Sequence, residues 1–243
     1  MTSRSSFGPL VSIVIVTLVC ALLASLSLLI YWNELERRID VLCASKSWAE
    51  CAPLVAGDIS LRWPLIASQG ADQVGPAPLL QNYFMELAGG HAEQSNQSSE
   101  APAAEAVALI VDRAKFYEYQ WHFSHLSEAY GRCAVGLYRK RAKAALATVS
   151  TDKQAAAVSL EALANGLRHL AELYQRHGKY LIAEKALKES IDVATQGFAL
   201  ADQKSAELFR AELLVDYGAH IKILNDLGRT AEAEHESKLL LEQ

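Results

Sequence analysis

The sequence predicts an all-α protein in which a single N-terminal transmembrane helix precedes a domain of paired helices. Three observations predict it. Pro9 to Ile30 is a 22-residue run with no charged residue. From Pro102 onward, apolar residues recur at helical spacing, with no strand-like alternation. Two C-terminal segments repeat one plan: a helix, a turn containing glycine, and a second helix.

Composition sets the frame. The chain has 243 residues, 23 basic and 28 acidic, for a net charge of −5, and 51% are hydrophobic. That profile excludes a disordered, collagen-like or disulfide-framework protein. The acidic balance gives no footprint for nucleic acid, so none is expected as a partner. Setting the apolar run aside leaves roughly 200 residues, enough for one sizeable domain or a short repeat array.

Residues 1–8 read as a short tail and 9–32 as the membrane helix. At 1.5 Å per residue, 22 residues span about 33 Å, the thickness of a hydrocarbon core. Pro9 suits a first helical turn, and Tyr31 and Trp32 lie where an interfacial aromatic belt would be. The run is too long for a cleaved signal peptide, and no small-residue cleavage site follows it. Cys20 lies mid-run behind Val19, which does not fit a lipoprotein signal. Thr17, Ala21 and Ser25 recur every four residues, a small face on which another helix can pack.

Residues 33–50 continue as a helical extension, with Leu35, Ile39 and Leu42 on one stripe. Residues 51–101 read as an irregular connection rich in Pro and Gly. It carries a short helix at 77–88 and a polar linker at 91–101. Cys43 and Cys51 are eight residues apart. In a continuing helix they would lie about 12 Å apart and could not bridge; if the segment loops, a disulfide is feasible. Basic residues after the span (Arg37, Arg38 and Lys46, against Arg4 before it) favour a cytoplasmic domain. The cysteines and the polar linker favour export, and a periplasmic domain on a bacterial inner membrane is the expectation.

Residues 102–243 form the helical domain. One long helix is expected over 102–149, or two joined near Gly131 to Gly136. Thr151 with Gln154 makes a capping box for a helix running to His177 and stopped by Gly178. The next runs from Lys179 to Gln196 and is stopped by Gly197. Asp202 caps a helix running to Leu227, with Gly228 after it, and Thr230 caps the last, to Leu241.

The two segments that share a plan are 166–194 and 216–242. In each, alanine stands five residues after the turn glycine: Gly178 to Ala183 and Gly228 to Ala233. Glycine permits the left-handed turn that folds one helix back on the next, and alanine lets the two approach. The first segment resembles a tetratricopeptide repeat (TPR), with Leu167, Leu170, Ala171, Tyr174, Gly178, Tyr180, Ala183 and Leu187 on signature positions. The second fits at Tyr217, Ile221, Leu224, Gly228 and Ala233, but has His220 where leucine is expected. The turn glycines stand 50 residues apart, which implies helices longer than standard or irregular stacking. The resemblance implies an array that binds peptides or proteins in a groove. It places Arg168, Glu172, Gln175 and Lys222 on first-helix positions facing that groove. The lysine and asparagine clamp by which some TPR proteins hold terminal carboxylates is absent, with Arg168, Glu172, Gly218 and Lys222 in its places.

Little in the chain points to catalysis. There is no CxxC, HExxH, phosphate loop, GxSxG or dinucleotide fingerprint, so no enzyme, cofactor or metal is expected. His122 and His125 share a helical face with Glu118, but HxxH without a third strong ligand reads as a polar edge beside an aromatic seam. Arg139, Lys140, Arg141 and Lys143 read as a solvated face. The expected function is a membrane-tethered scaffold or accessory subunit of a larger membrane or envelope complex, with the lipid bilayer and other membrane proteins as partners. Two other readings stand beside it: a metal- or haem-associated subunit of a membrane enzyme relying on His122 and His125, or a periplasmic chaperone-like protein.

Overall fold

A computed structural model describes residues 8–62, 76–89, 104–121 and 124–241, and every regular element in them is helical. Helix α1 (Gly8–Ala44) is continuous for 37 residues. Its candidate span, Ile13–Ala44, is long and apolar enough to cross a membrane, and none of its most apolar stretch is buried. Helices α2 (Trp48–Arg62) and α3 (Pro76–Ala88) follow. Next come α4 (Ala104–Phe116), a π-helical turn (Tyr117–Trp121) and α5 (Ser124–Ala147). Then α6 (Lys153–Arg176), α7 (Tyr180–Leu200), α8 (Gln203–Asp226) and α9 (Thr230–Leu241) pack one on the next.

Two cores result. The first gathers Ile39 and Cys43 of α1, Val55 and Ile59 of α2, Leu80 and Phe84 of α3, Ile110 of α4, and Tyr130 and Cys133 of α5. The second runs along α5 to α8 and contains Leu160, Leu167, Leu187 and Phe209. The expected stripe on the extension therefore packs inside its own domain: Ile39 is buried, and Leu35 and Leu42 lie against the same core.

Several boundaries differ from the sequence expectation. The extension stops at Ala44, and the connection read as irregular from residue 51 is helical to Arg62. Cys51, Ala52, Val55, Asp58 and Ile59 recur at helical spacing and are buried, which outweighs the Pro53 that α2 carries on its exposed side. The polar linker at 91–101 lies outside the described residues. The first long helix breaks at the π-helical turn rather than near Gly131 to Gly136, which both sit inside α5. The cap of α6 is Asp152, whose carboxylate accepts from the Ala155 N–H at 2.8 Å; the Thr151 hydroxyl instead donates to the Thr148 carbonyl. Helix α7 runs through Gly197 to Leu200, because that glycine serves packing: a Cβ there would lie 2.3 Å from Phe209 Cζ. Asp202 caps α8 as expected, accepting from the Ser205 N–H at 2.8 Å.

Three turns share one geometry. Gly178 and Gly228 have φ of 70° and 74°, and Lys46 has φ of 58°. At each, the next residue's N–H donates back to a carbonyl five residues earlier: Ser47 to Leu42, Lys179 to Tyr174, and Arg229 to Leu224. This is the Schellman helix end. Five residues beyond each left-handed residue comes a small buried side chain: Cys51, Ala183 and Ala233.

Candidate functional site

Helices α4 and α6 lie on either side of a cavity of about 610 Å³, with Tyr138 of α5 also in its wall. Asp112 and Lys115 line it from α4; Arg168, His169 and Glu172 line it from α6. Two of the four groove residues expected from sequence are thus brought to one cavity. Glu172 is the more available. Its carboxyl is held below the usual range by its hydrogen bond to His169, aided by the charges of Arg176 and Arg168. On the same wall, burial and the neighbouring Glu212 carboxylate push Glu161 up.

Arg168 is committed elsewhere. Its Nε pairs with the fully buried Asp216 of α8, and its Nη1 donates to Asn165 Oδ1 at 2.9 Å. Ser190 of α7 donates to the other Asp216 oxygen at 2.7 Å. Gln175 is also tied down, donating to Asp226 Oδ2 at 3.0 Å, and Asn165 donates to Glu212 Oε1 at 2.9 Å. These contacts make a polar ladder that fixes α6 beside α8. Lys222 is exposed on α8, away from the cavity lining. Sequence reasoning missed Asp216, Glu212 and Asp226, the acidic rungs of α8. Their signal was an acidic residue recurring on a face that periodicity alone assigns to the core or to solvent.

His220, which takes a leucine position in the second segment, is buried. Its Nδ1 lies 2.6 Å from Glu236 and its Nε2 3.9 Å from Glu184. Glu184 also accepts from Lys188 at 2.7 Å and Arg229 at 2.8 Å. Burial pushes the Glu184 carboxyl up, but these cations outweigh it and hold the group below the usual carboxylate range. A polar cluster thus replaces an apolar seam between α8 and α9.

The histidine reading finds different partners. His122 lies outside the described residues. His125 Nδ1 is 3.6 Å from Asp40 of α1, while Glu118, on the π-helical turn, meets Arg176 and His177, each at 3.2 Å. Among the described residues, no group of three or more His, Cys, Asp or Glu side chains is placed to hold a metal ion. Arg139 of the basic run forks onto Glu189 at 2.8 and 2.7 Å. The aromatic seam divides between core and surface: Tyr117 and Tyr130 are buried edge to face at 5.3 Å, whereas Tyr119 is exposed under Arg176.

On α1, Thr17 and Ser25 turn their hydroxyls back to the carbonyls of Ile13 and Ala21, so the small face is internally satisfied and exposed. At the other end of this helix, a buried charge cluster locks it to the domain. Arg113 Nη2 lies 2.5 Å from Glu36 and 3.7 Å from Asp58, and the Tyr117 hydroxyl donates to Asp58 at 2.8 Å. Asp40 accepts from the Leu126 N–H at 2.8 Å, supplying from α1 a partner for the first turn of α5. The segment holding Cys43 and Cys51 does loop, and the two buried sulfurs come within 3.4 Å. Comparison with family models, with curated proteins and with solved structures returns no match.

Proposed function

We propose that this chain is a membrane-tethered interaction protein, a scaffold or accessory subunit of a larger membrane or envelope assembly. In this reading α1 spans a bacterial inner membrane and the helical domain lies in the periplasm. A partner segment enters the cavity between α4 and α6, as the TPR resemblance implies, and Glu172, Lys115 and Asp112 contact it. One observation carries the proposal: a helix whose most apolar stretch has no cover among the described residues is built, at its far end, into the core of a domain with an open cavity. An anchor confines that cavity to the bilayer surface and raises its effective concentration towards partners there.

The test has two arms in cells making the full chain. Membranes are washed with alkaline carbonate, and the protein is expected to stay with them. A photo-crosslinking side chain is then placed at Glu172, and in a second strain at Lys185, which is exposed on α7. Adducts of defined mass from residue 172 but not from 185 support the groove. Release by carbonate, or equal labelling at both positions, refutes the proposal.

A further inference from the structure

The structure assigns a covalent role to the first of the three Schellman turns: we infer that Cys43 and Cys51 close an intrachain disulfide that staples α2 to α1 where the membrane helix enters the domain. Three observations converge on it. The sulfurs are 3.4 Å apart and both side chains are buried, so the pair is already in contact. The turn itself makes that contact. In each of the three turns, the residue three before the left-handed position and the residue five after it come from opposite helices. At Gly228 these are Asn225 and Ala233, which line one shared hollow; at Lys46 they are Cys43 and Cys51. Two of the turns place alanine at the later position, and only the one beside the membrane helix places sulfur at both. Finally, the other two cysteines are elsewhere: Cys20 lies within the apolar run and Cys133 within α5.

The chemistry is thiol–disulfide exchange with a donor protein disulfide of an oxidising compartment. One cysteine thiolate attacks a donor sulfur, forming a mixed disulfide and releasing the donor's other sulfur as a thiolate. The second cysteine attacks its partner's sulfur in that mixed disulfide and expels the donor's remaining sulfur. Two protons and two electrons leave the cysteine pair, and the donor becomes a dithiol. The Cys51 thiol, burial and the nearby Asp40 carboxylate all push the Cys43 thiol up, so the folded pair makes little thiolate. Exchange therefore takes place while the chain folds, before α2 closes over the sulfurs, and the finished bond is shielded from reductants.

The inference rests on the periplasmic placement proposed above, and the experiment separates the two. Cells making the full chain are quenched in acid and unfolded in detergent. Free thiols are blocked with N-ethylmaleimide; the protein is then reduced and tagged with a polyethylene-glycol maleimide. Two tags are expected on the natural chain and on Cys133→Ala, and none on Cys43→Ala or Cys51→Ala. No tag on the natural chain overturns the disulfide. The side of the membrane is read separately, by adding protease to spheroplasts. An accessible domain with both thiols free refutes the disulfide and leaves the placement standing. A protected domain with two tags supports the disulfide and refutes the placement.

Discussion

Replacing Asp216 by alanine tests whether Arg168 holds the fold together or waits for a partner. Asp216 is 0% exposed and accepts from both Arg168 and Ser190. The Arg168 side chain is only 16% exposed, and its buried Nη2 has no hydrogen-bond partner among the described residues. Without Asp216, the guanidinium keeps only Asn165, and a largely desolvated cation loses its counter-charge. Breaking a buried pair from one side costs about 3–5 kcal/mol. For a chain of this length each kcal/mol moves Tm by roughly 2–4 °C, so Asp216→Ala should lower the melting temperature by roughly 6–20 °C. Arg168→Ala strands the Asp216 carboxylate and should cost a similar amount. The double variant removes both charges and should cost less than the sum by a coupling energy of about 1–3 kcal/mol. The assay is thermal and urea unfolding of the full chain in detergent, followed by circular dichroism. If Asp216→Ala loses less than about 1 kcal/mol, or the two losses simply add, the pair is not structural and Arg168 returns to the list of groove contacts.

Other substitutions probe close packing, turn strain and buried phenols. Gly197→Ala drives a Cβ to 2.3 Å from the ring of the fully buried Phe209 and should destabilise by roughly 1–3 kcal/mol, against a helix-propensity gain near 1 kcal/mol. Gly218→Ala meets nothing within 4 Å and should stabilise by about 0.5–1 kcal/mol; the opposite order in urea midpoints would refute the packing argument. Lys46→Gly relieves a left-handed lysine at φ 58° and should stabilise by about 0.5–1 kcal/mol after the entropy of the freer unfolded chain is counted; a loss would show that the lysine conformation is not strained. Burial holds the Tyr117 and Tyr130 phenols well above their ordinary range and pushes Tyr174 up to about 12. The neutral forms are favoured in the fold, so their stabilisation is complete below about pH 10, the unfolded value, and is lost as pH rises through the folded values. The tyrosinate absorbance that belongs to Tyr117 and Tyr130, read as the difference from a Tyr117→Phe, Tyr130→Phe variant, should therefore rise together with loss of helical dichroism; its appearance near pH 10 with helicity intact would contradict the reasoning.

Legibility followed the strength of local signals. The apolar run, the two turn glycines and the alanines behind them were readable because each residue type answers to one backbone demand. Helix α2 was not readable in the same way. Pro53 and Gly57 suggested a loop, while the stripe of Cys51, Val55 and Ile59 was already helical; burial against α3 and α1 decides between the two, and burial is not a local property. Gly197 misled for the complementary reason. A glycine that ends a helix and one that admits an aromatic ring look alike until Phe209, twelve residues on, is placed. The site divided similarly. Glu172 could be placed on a groove by register, but the capture of Arg168 and Gln175 by α8 depends on how two distant helices align.

The junction between α1 and the domain decides how the proposed tether works. Had residues 33–50 ended in a loose connection, the domain would range over a wide shell of solvent and dilute its own cavity. Instead α1 runs unbroken for 37 residues, about 55 Å at helical rise. Its apolar run accounts for about 33 Å of that, and the remainder is built into the first core. Ile39 and Cys43 pack there, Glu36 pairs with Arg113, and Asp40 holds the first turn of α5. The same α4 that supplies Arg113 to this lock supplies Asp112 and Lys115 to the cavity wall. In the proposed tether, tilt of α1 is thus transmitted to the cavity through one rigid element rather than averaged out by a linker. A stiff connection of this kind raises effective concentration only towards partners held at a matching height above the bilayer. That geometry suits a fixed subunit of an assembly better than a holdase for diffusing clients, which would gain nothing from a cavity held in register with the membrane.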